Sequence, residues 1–136
     1  MTSEYRKPIP EMDEVSKTFW KGLQRRELLI QRCRDCGRYQ FYPRPLCVHC
    51  WGEDLQWIRS EGRGAVYSYS IVRQNMMSGF AQELPYVFAV VELEEGVRLS
   101  TNIVRCEPDK VSVGMPVIVD FERITSEITL PKFRPL

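Results

Sequence analysis

Four cysteines stand as two pairs, Cys33 with Cys36 and Cys47 with Cys50, inside the stretch CRDCGRYQFYPRPLCVHC. Two residues between thiolates let the chain curl into a tight turn that aims both sulfurs at one ion. A second such turn closes a tetrahedral four-thiolate site. Gly37, directly after the first pair, suits a turn that needs a left-handed backbone; the second pair is followed by Trp51, with Gly52 one place later. A closed site has no open position for substrate. The expected ion is therefore structural zinc held by Cys33, Cys36, Cys47 and Cys50, which contributes folding energy on the order of 10 kcal/mol in small modules.

Other chemistries compete for the same residues. Disulfides need an oxidising compartment, yet no apolar signal segment precedes the pairs and a fifth cysteine, Cys106, is left over as a small packing residue. Iron also suits a tetrahedral sulfur site, as in rubredoxin, and the short loop between the pairs favours a compact rubredoxin-like ribbon over a long finger. His49, the one histidine, reads as an exposed turn residue because four thiolates already satisfy the ion.

A chain of 136 residues suits one domain or two small modules, and no run of about 20 apolar residues is present to cross a bilayer. Cysteine usage points to a reducing cytoplasm. Net charge is +1, which disfavours a dedicated nucleic-acid binder that must neutralise many phosphates. The charge is unevenly spread. Residues 25–73 carry nine arginines against five acids, whereas residues 74–136 carry six basic residues against nine acids, so the cysteine-bearing half is the basic half.

The elements that must position the cysteines follow from pattern. Residues 1–30 read as an extended lead-in punctuated by Pro8 and Pro10, then an amphipathic helix from Glu11 to about Arg25 with Met12, Val15, Phe19 and Leu23 on one face. Residues 31–61 form the ribbon, entered by a strand from Leu28 to Gln31 and completed by one through Leu55, Trp57 and Ile58. Between the pairs, Tyr39, Phe41, Tyr42, Pro43, Arg44 and Pro45 make an aromatic, proline-rich loop.

Gly62-Arg63-Gly64 marks the boundary to residues 62–136, which read as strands. The strand from Ala65 to Arg73 places Val66, Ser68, Ser70 and Val72 on one face and Tyr67, Tyr69 and Ile71 on the other. A loop over residues 74–84 holds Met76, Met77 and Phe80; a hairpin joins Tyr86–Leu93 to Val97–Val104; a last long strand runs through Val117–Phe121. Strands of this length without intervening helices suggest a small Greek-key barrel of the OB type. The fold class is mainly β with an N-terminal helix.

In this order the segments resemble the DUF35 family. The marks are Phe19-Trp20, LLIQRCRDCG, FYPRPLCVHC, GRGAVYSYSIVR, PYVFAVVELEEGVRL, SVGMPVIVDF and LPKFRP. Two departures stand out: Arg26 sits where a glycine often ends the helix, and Val48 and Trp51 occupy knuckle positions where proline and glycine are usual. The resemblance implies a rubredoxin-like zinc ribbon ahead of an OB-fold. It also implies a small subunit that docks on a thiolase-like enzyme and helps hold acyl-CoA while that partner makes or breaks a carbon–carbon bond. The catalytic cysteine and histidines would belong to the partner. This chain shows no Cys/His or Ser/His pair of its own for thioester chemistry.

A CoA cradle should combine arginine with aromatic surface, which selects Arg38, Tyr39, Phe41, Tyr42 and Arg44, with Arg73 approaching from the first long barrel strand. Phe19, Trp20, Met76, Met77 and Phe80 are candidates for partner contact, with core packing the plainer role for the first two. Two functions from other classes compete: single-stranded nucleic-acid binding on Tyr67 and Tyr69 of an OB barrel, against which the acidic second half counts, and electron transfer by iron at the cysteines.

Overall fold

The computed structural model describes residues 5–136. Helix α1 spans Lys17–Gln24 and not the longer stretch that the apolar spacing suggests. The Asp13 carboxylate accepts hydrogen bonds from the Ser16 N–H and hydroxyl, both at 2.7 Å, and this local turn holds residues 13–16 out of the helix. The Ser16 bonds hold the Asp13 carboxyl below the usual carboxylate range. Val15 is consequently exposed, while Phe19, Trp20 and Leu23 are buried.

The helix ends in a double hydrogen bond, Arg26 N–H to the Leu23 carbonyl and Glu27 N–H to the Gly22 carbonyl, each 2.9 Å. This closure demands a left-handed residue, and Arg26 adopts it with φ 61°. Gly22 has a different reason to be glycine. A Cβ there would lie 2.7 Å from Leu29 Cδ1, on the strand that packs beneath the helix.

Strand β1 (Leu28–Cys33) carries the chain into the first cysteine pair and pairs antiparallel with both β2 (Tyr39–Gln40) and β3 (Leu55–Ser60). The ribbon is thus a three-stranded sheet in the order β2-β1-β3. Gly62, with φ 73°, turns the chain into the barrel; its carbonyl accepts from Val119 N–H at 2.8 Å.

The barrel strands are β4 (Arg63–Val72), β5 (Tyr86–Leu93), β6 (Arg98–Ile103), β7 (Pro116–Arg123) and β8 (Thr129–Pro135), closed in the order β4-β5-β6-β8-β7. Alternation on β4 is broken by a bulge, where the register passes from Val66 opposite Val91 directly to Ser68 opposite Val90. Val66 therefore shares the inward face with Ile71, while Ser68 and Ser70 lie on the outward face with Phe88; the simple two-face reading of this strand does not hold. The sequence reading ended its last strand at Phe121 and left LPKFRP without an element. In the structure that segment is β8, which pairs along seven positions with β7 and carries Phe133, fully buried at the barrel centre. Two prolines in seven residues hide its strand character. Among the described residues no helix is long and apolar enough to cross a membrane.

Two substitutions test this account. Phe133→Ala should lower unfolding stability by about 3–5 kcal/mol, read by denaturant titration, because it empties the centre of the barrel. Trp51 is 78 % exposed and held at φ 67°. Trp51→Gly should raise stability by roughly 1 kcal/mol, since it relieves a left-handed side-chain residue that makes little packing contact.

A four-thiolate centre and the cleft beside it

The two cysteine turns are near copies of each other. Gly37 N–H donates to the Cys33 carbonyl at 2.8 Å and Trp51 N–H to the Cys47 carbonyl at 2.9 Å, and both Gly37 and Trp51 have positive φ. Further N–H groups reach the sulfurs, from Cys36 to Cys33 Sγ (3.5 Å) and from His49 to Cys47 Sγ (3.3 Å). Cys33 and Cys47 are buried; Cys36 and Cys50 face outward.

Cys33 Sγ lies 3.6 Å from Cys50 Sγ, Cys36 Sγ lies 3.7 Å from Cys47 Sγ, and all four sulfurs fall within 4.8 Å of one another. A tetrahedral ion with metal–sulfur bonds of about 2.3 Å requires sulfurs about 3.8 Å apart. The donor set fits. Burial pushes the Cys47 thiol up, but N–H groups of Cys50 and His49 outweigh it and hold it down at about 6. Cys50 gains from the Gly52 N–H, yet its neighbours Cys33, Cys47 and Cys36 push it up to about 12. Four sulfurs at these spacings supply the donor set of one tetrahedral ion, so the cluster is a metal site.

The loop between the turns is fixed by two buried glutamines that sequence reasoning passed over. Gln31 Oε1 accepts from Gln40 Nε2 (2.7 Å) and from Arg44 N–H (2.9 Å), while Gln31 Nε2 donates to the Arg44 carbonyl (3.0 Å). Gln40 Oε1 in turn accepts from Val48 N–H at 2.9 Å. A polar amide within an otherwise apolar strand was the available signal. Its effect is to tie the Gln40 side chain and the Arg44 main chain, on either side of Phe41 and Tyr42, to Gln31 of β1.

Those rings build one wall of a cleft of about 500 Å³. Phe19 sits edge-on to Trp20 (5.1 Å), Phe41 (5.4 Å) and Tyr42 (6.2 Å), so helix and loop form one aromatic cluster. Arg44 stands at its rim, and β6 and β8 supply the opposite wall, with Arg98, Ser100, Pro131 and Lys132 among the lining residues. Phe41, Tyr42 and Arg44 are thus brought together with Phe19 and Trp20.

The other selected residues go elsewhere. Arg38 is exposed beside His49, its Nη1 3.5 Å from Nδ1, and Tyr39 packs under the Arg32 guanidinium. Arg73 does not line the cleft. Nor do Met76, which is fully exposed, Met77, or Phe80, whose ring lies 5.6 Å from that of Tyr86 with Lys7 Nζ over its face. The barrel cations in the cleft, Arg98 and Lys132, lie far along the chain from the loop they face, and only the fold reveals their proximity. Cys106 is partly buried against the core.

Comparison with known proteins places these features in a family. Residues 20–56 match the model described as ChsH2, rubredoxin-like zinc ribbon domain, and residues 57–122 match ChsH2, C-terminal OB-fold domain. A probable enoyl-CoA hydratase alpha subunit of Thermomonospora curvata is 40 % identical over 129 residues, 95 % of this chain and 40 % of that protein, so the chain spans well under half of that relative. A DUF35 domain-containing scaffold protein of Methanocaldococcus jannaschii is 37 % identical over 85 % of this chain and 82 % of its own length. The benzoylsuccinyl-CoA thiolase subunit BbsA of Geobacter metallireducens is 37 % identical over 53 % of this chain and 47 % of its own. Among solved structures, the Ltp2-ChsH2(DUF35) aldolase contains a chain that is 40 % identical, with a TM-score of 0.84 over 93 % of this chain and 98 % of that one. Ribbon, barrel and full-length likeness agree: this chain belongs to the DUF35 family.

Proposed function

We propose that this protein is a non-catalytic subunit that docks on a thiolase-like enzyme and helps position acyl-CoA while the partner makes or cleaves a carbon–carbon bond. The observation that carries the reading is the likeness, at 40 % identity across 98 % of that chain, to a component of the Ltp2-ChsH2(DUF35) aldolase. Names of other relatives support it, since they include a CoA-thioester hydratase subunit and a thiolase subunit. The chemistry of the chain supports the non-catalytic part. Thioester carbon–carbon chemistry needs a nucleophile and a base within hydrogen-bond reach. The one histidine, His49, is exposed in the second cysteine turn beside Arg38 and the Tyr39 carbonyl. Four of the five cysteines are committed to the metal cluster.

Zinc is the ion of this proposal. Cys33, Cys36, Cys47 and Cys50 would hold it in a closed tetrahedron, and its contribution there is structural. The fixed turns carry the Gln31–Gln40 network and, through it, the aromatic wall of the cleft. The cleft residues Phe41, Tyr42 and Arg44 remain the part of the ribbon offered to CoA. Arg38, Tyr39 and Arg73, which lie outside the cleft, are proposed as further CoA contacts, and the exposed Met76 and Met77 as partner contacts. Phe19 and Trp20, which line the cleft, and Phe80, which packs on Tyr86, are proposed as the remaining partner contacts.

Metal analysis tests the centre: purified protein should carry stoichiometric zinc, Cys33→Ser should lose it and become insoluble or unfolded in the ribbon, and Cys106→Ser should keep it. Stoichiometric zinc in the Cys33→Ser protein would refute the assignment. Co-expression with the chromosomal neighbours tests the function. A thiolase-like protein should co-purify, and acyl-CoA turnover should appear in the complex and be absent from this chain alone; robust cleavage of a 3-ketoacyl-CoA by the isolated chain would overturn the reading.

A further inference from the structure

We infer that the cleft between the aromatic loop and β6 binds the phosphopantetheine arm of CoA, with the arm's amides pairing to the open main-chain edge of β6 as an added strand would. This rests on the acyl-CoA reading above and specifies its site.

The edge arises from how the barrel closes. β6 pairs with β5 along its whole length, from Glu92 opposite Arg98 to Val87 opposite Ile103. On its other side it registers with β8 at one position, Ile103 opposite Phe133, where Val104 N–H donates to the Phe133 carbonyl at 2.8 Å. Main-chain groups alternate sides along a strand, so Arg98 and Ser100, in step with Val104, direct their N–H and C=O groups toward β8 and the cleft. The ladder stops there because Pro131, the β8 residue beside this edge, has no N–H to give. The Thr101 hydroxyl donates to the Pro131 carbonyl instead, at 2.9 Å. Arg98 and Ser100 have no strand neighbour on that side among the described residues.

Two further observations describe what belongs against this edge. Trp20 lines the cleft, is 6 % exposed, and its indole Nε1–H is the one buried side-chain polar atom among the described residues without a hydrogen-bond partner. A buried donor of that kind calls for an acceptor. The lining also carries Arg44, Arg98 and Lys132 and no carboxylate. Arg98 leans on Glu92 at 3.2 Å and Lys132 on Glu122 at 2.7 Å, both outside the cleft, whereas Arg44 has no ion-pair partner among the described residues.

The matching ligand is extended, carries amide donors and acceptors at strand-like intervals, has an apolar body to lie against Phe41 and Tyr42, and ends in an anion near Arg44. Phosphopantetheine has two amides, a dimethyl group and a phosphate in one flexible arm. A volume of about 500 Å³ accommodates such an arm. A strand edge recognises peptides by the same main-chain pairing, but an uncharged peptide leaves Arg44 unmatched.

The test uses the purified full chain with its metal, isotopically labelled, and millimolar phosphopantetheine, CoA or inorganic phosphate. Phosphopantetheine and CoA should shift the Trp20 indole N–H resonance and slow hydrogen exchange at the Arg98 and Ser100 amides at least tenfold. Leu99, whose N–H faces β5, should not change. Arg44→Glu should weaken phosphopantetheine binding tenfold or more with the other resonances preserved. The inference is overturned if the resonances stay unmoved, if inorganic phosphate reproduces the full response, or if Arg44→Glu binds as well as the parent protein. Phosphopantetheine binding without co-purification of an acyl-CoA enzyme would sink the docking reading alone. Co-purification with a silent cleft would sink this inference alone.

Discussion

Four thiolates gathered within 4.8 Å repel one another unless a cation sits among them, and much of this protein's first half depends on that requirement. Satisfying it holds two turns back to back. The loop spanning them then has little freedom, and Gln31 and Gln40 remove what is left by taking up the main-chain groups of Arg44 and Val48. Aromatic rings on so short a tether would otherwise collapse onto the nearest apolar surface. Instead Phe41 and Tyr42 meet Phe19 edge-on and stand as a wall.

The barrel answers with a complementary defect. Small barrels avoid free edges by closing, and here closure between β6 and β8 is reduced to one register point beside a proline. An unpaired strand edge is a liability in water. Here that edge lies in the cleft that Phe41 and Tyr42 also line, together with Arg44, Arg98 and Lys132. Met76 and Met77, on the loop before β5, are exposed outside this cleft.

Much of this was legible before any coordinates. Cysteine spacing carried the metal site, because two turns of fixed length leave the sulfurs few other arrangements. Alternating β-branched and aromatic residues carried the strands of the barrel, and the order of segments carried the family. What escaped had physical reasons. The helix looked longer because apolar spacing does not register the Asp13–Ser16 turn that competes with it. β8 was hidden by Pro131 and Pro135, and the face reading of β4 failed at a bulge that no residue type announces. Arg26 and Trp51, noted as departures at glycine positions, do occupy left-handed backbone, so the sequence reported the demand correctly even where the residue does not suit it. Arg73, expected to approach Arg44 from the first long barrel strand, does not line the cleft, because local sequence does not say which way that strand end faces.

The most direct test of the account is the structure of the assembled complex with an acyl-CoA bound. The account predicts that the thioester carbonyl touches only groups of the partner enzyme, while the phosphopantetheine arm runs along Arg98 and Ser100 of β6 beneath Phe41 and Tyr42. A side chain of this protein placed at hydrogen-bond distance from the thioester carbonyl, or a CoA held wholly within the partner and remote from the cleft, would contradict it.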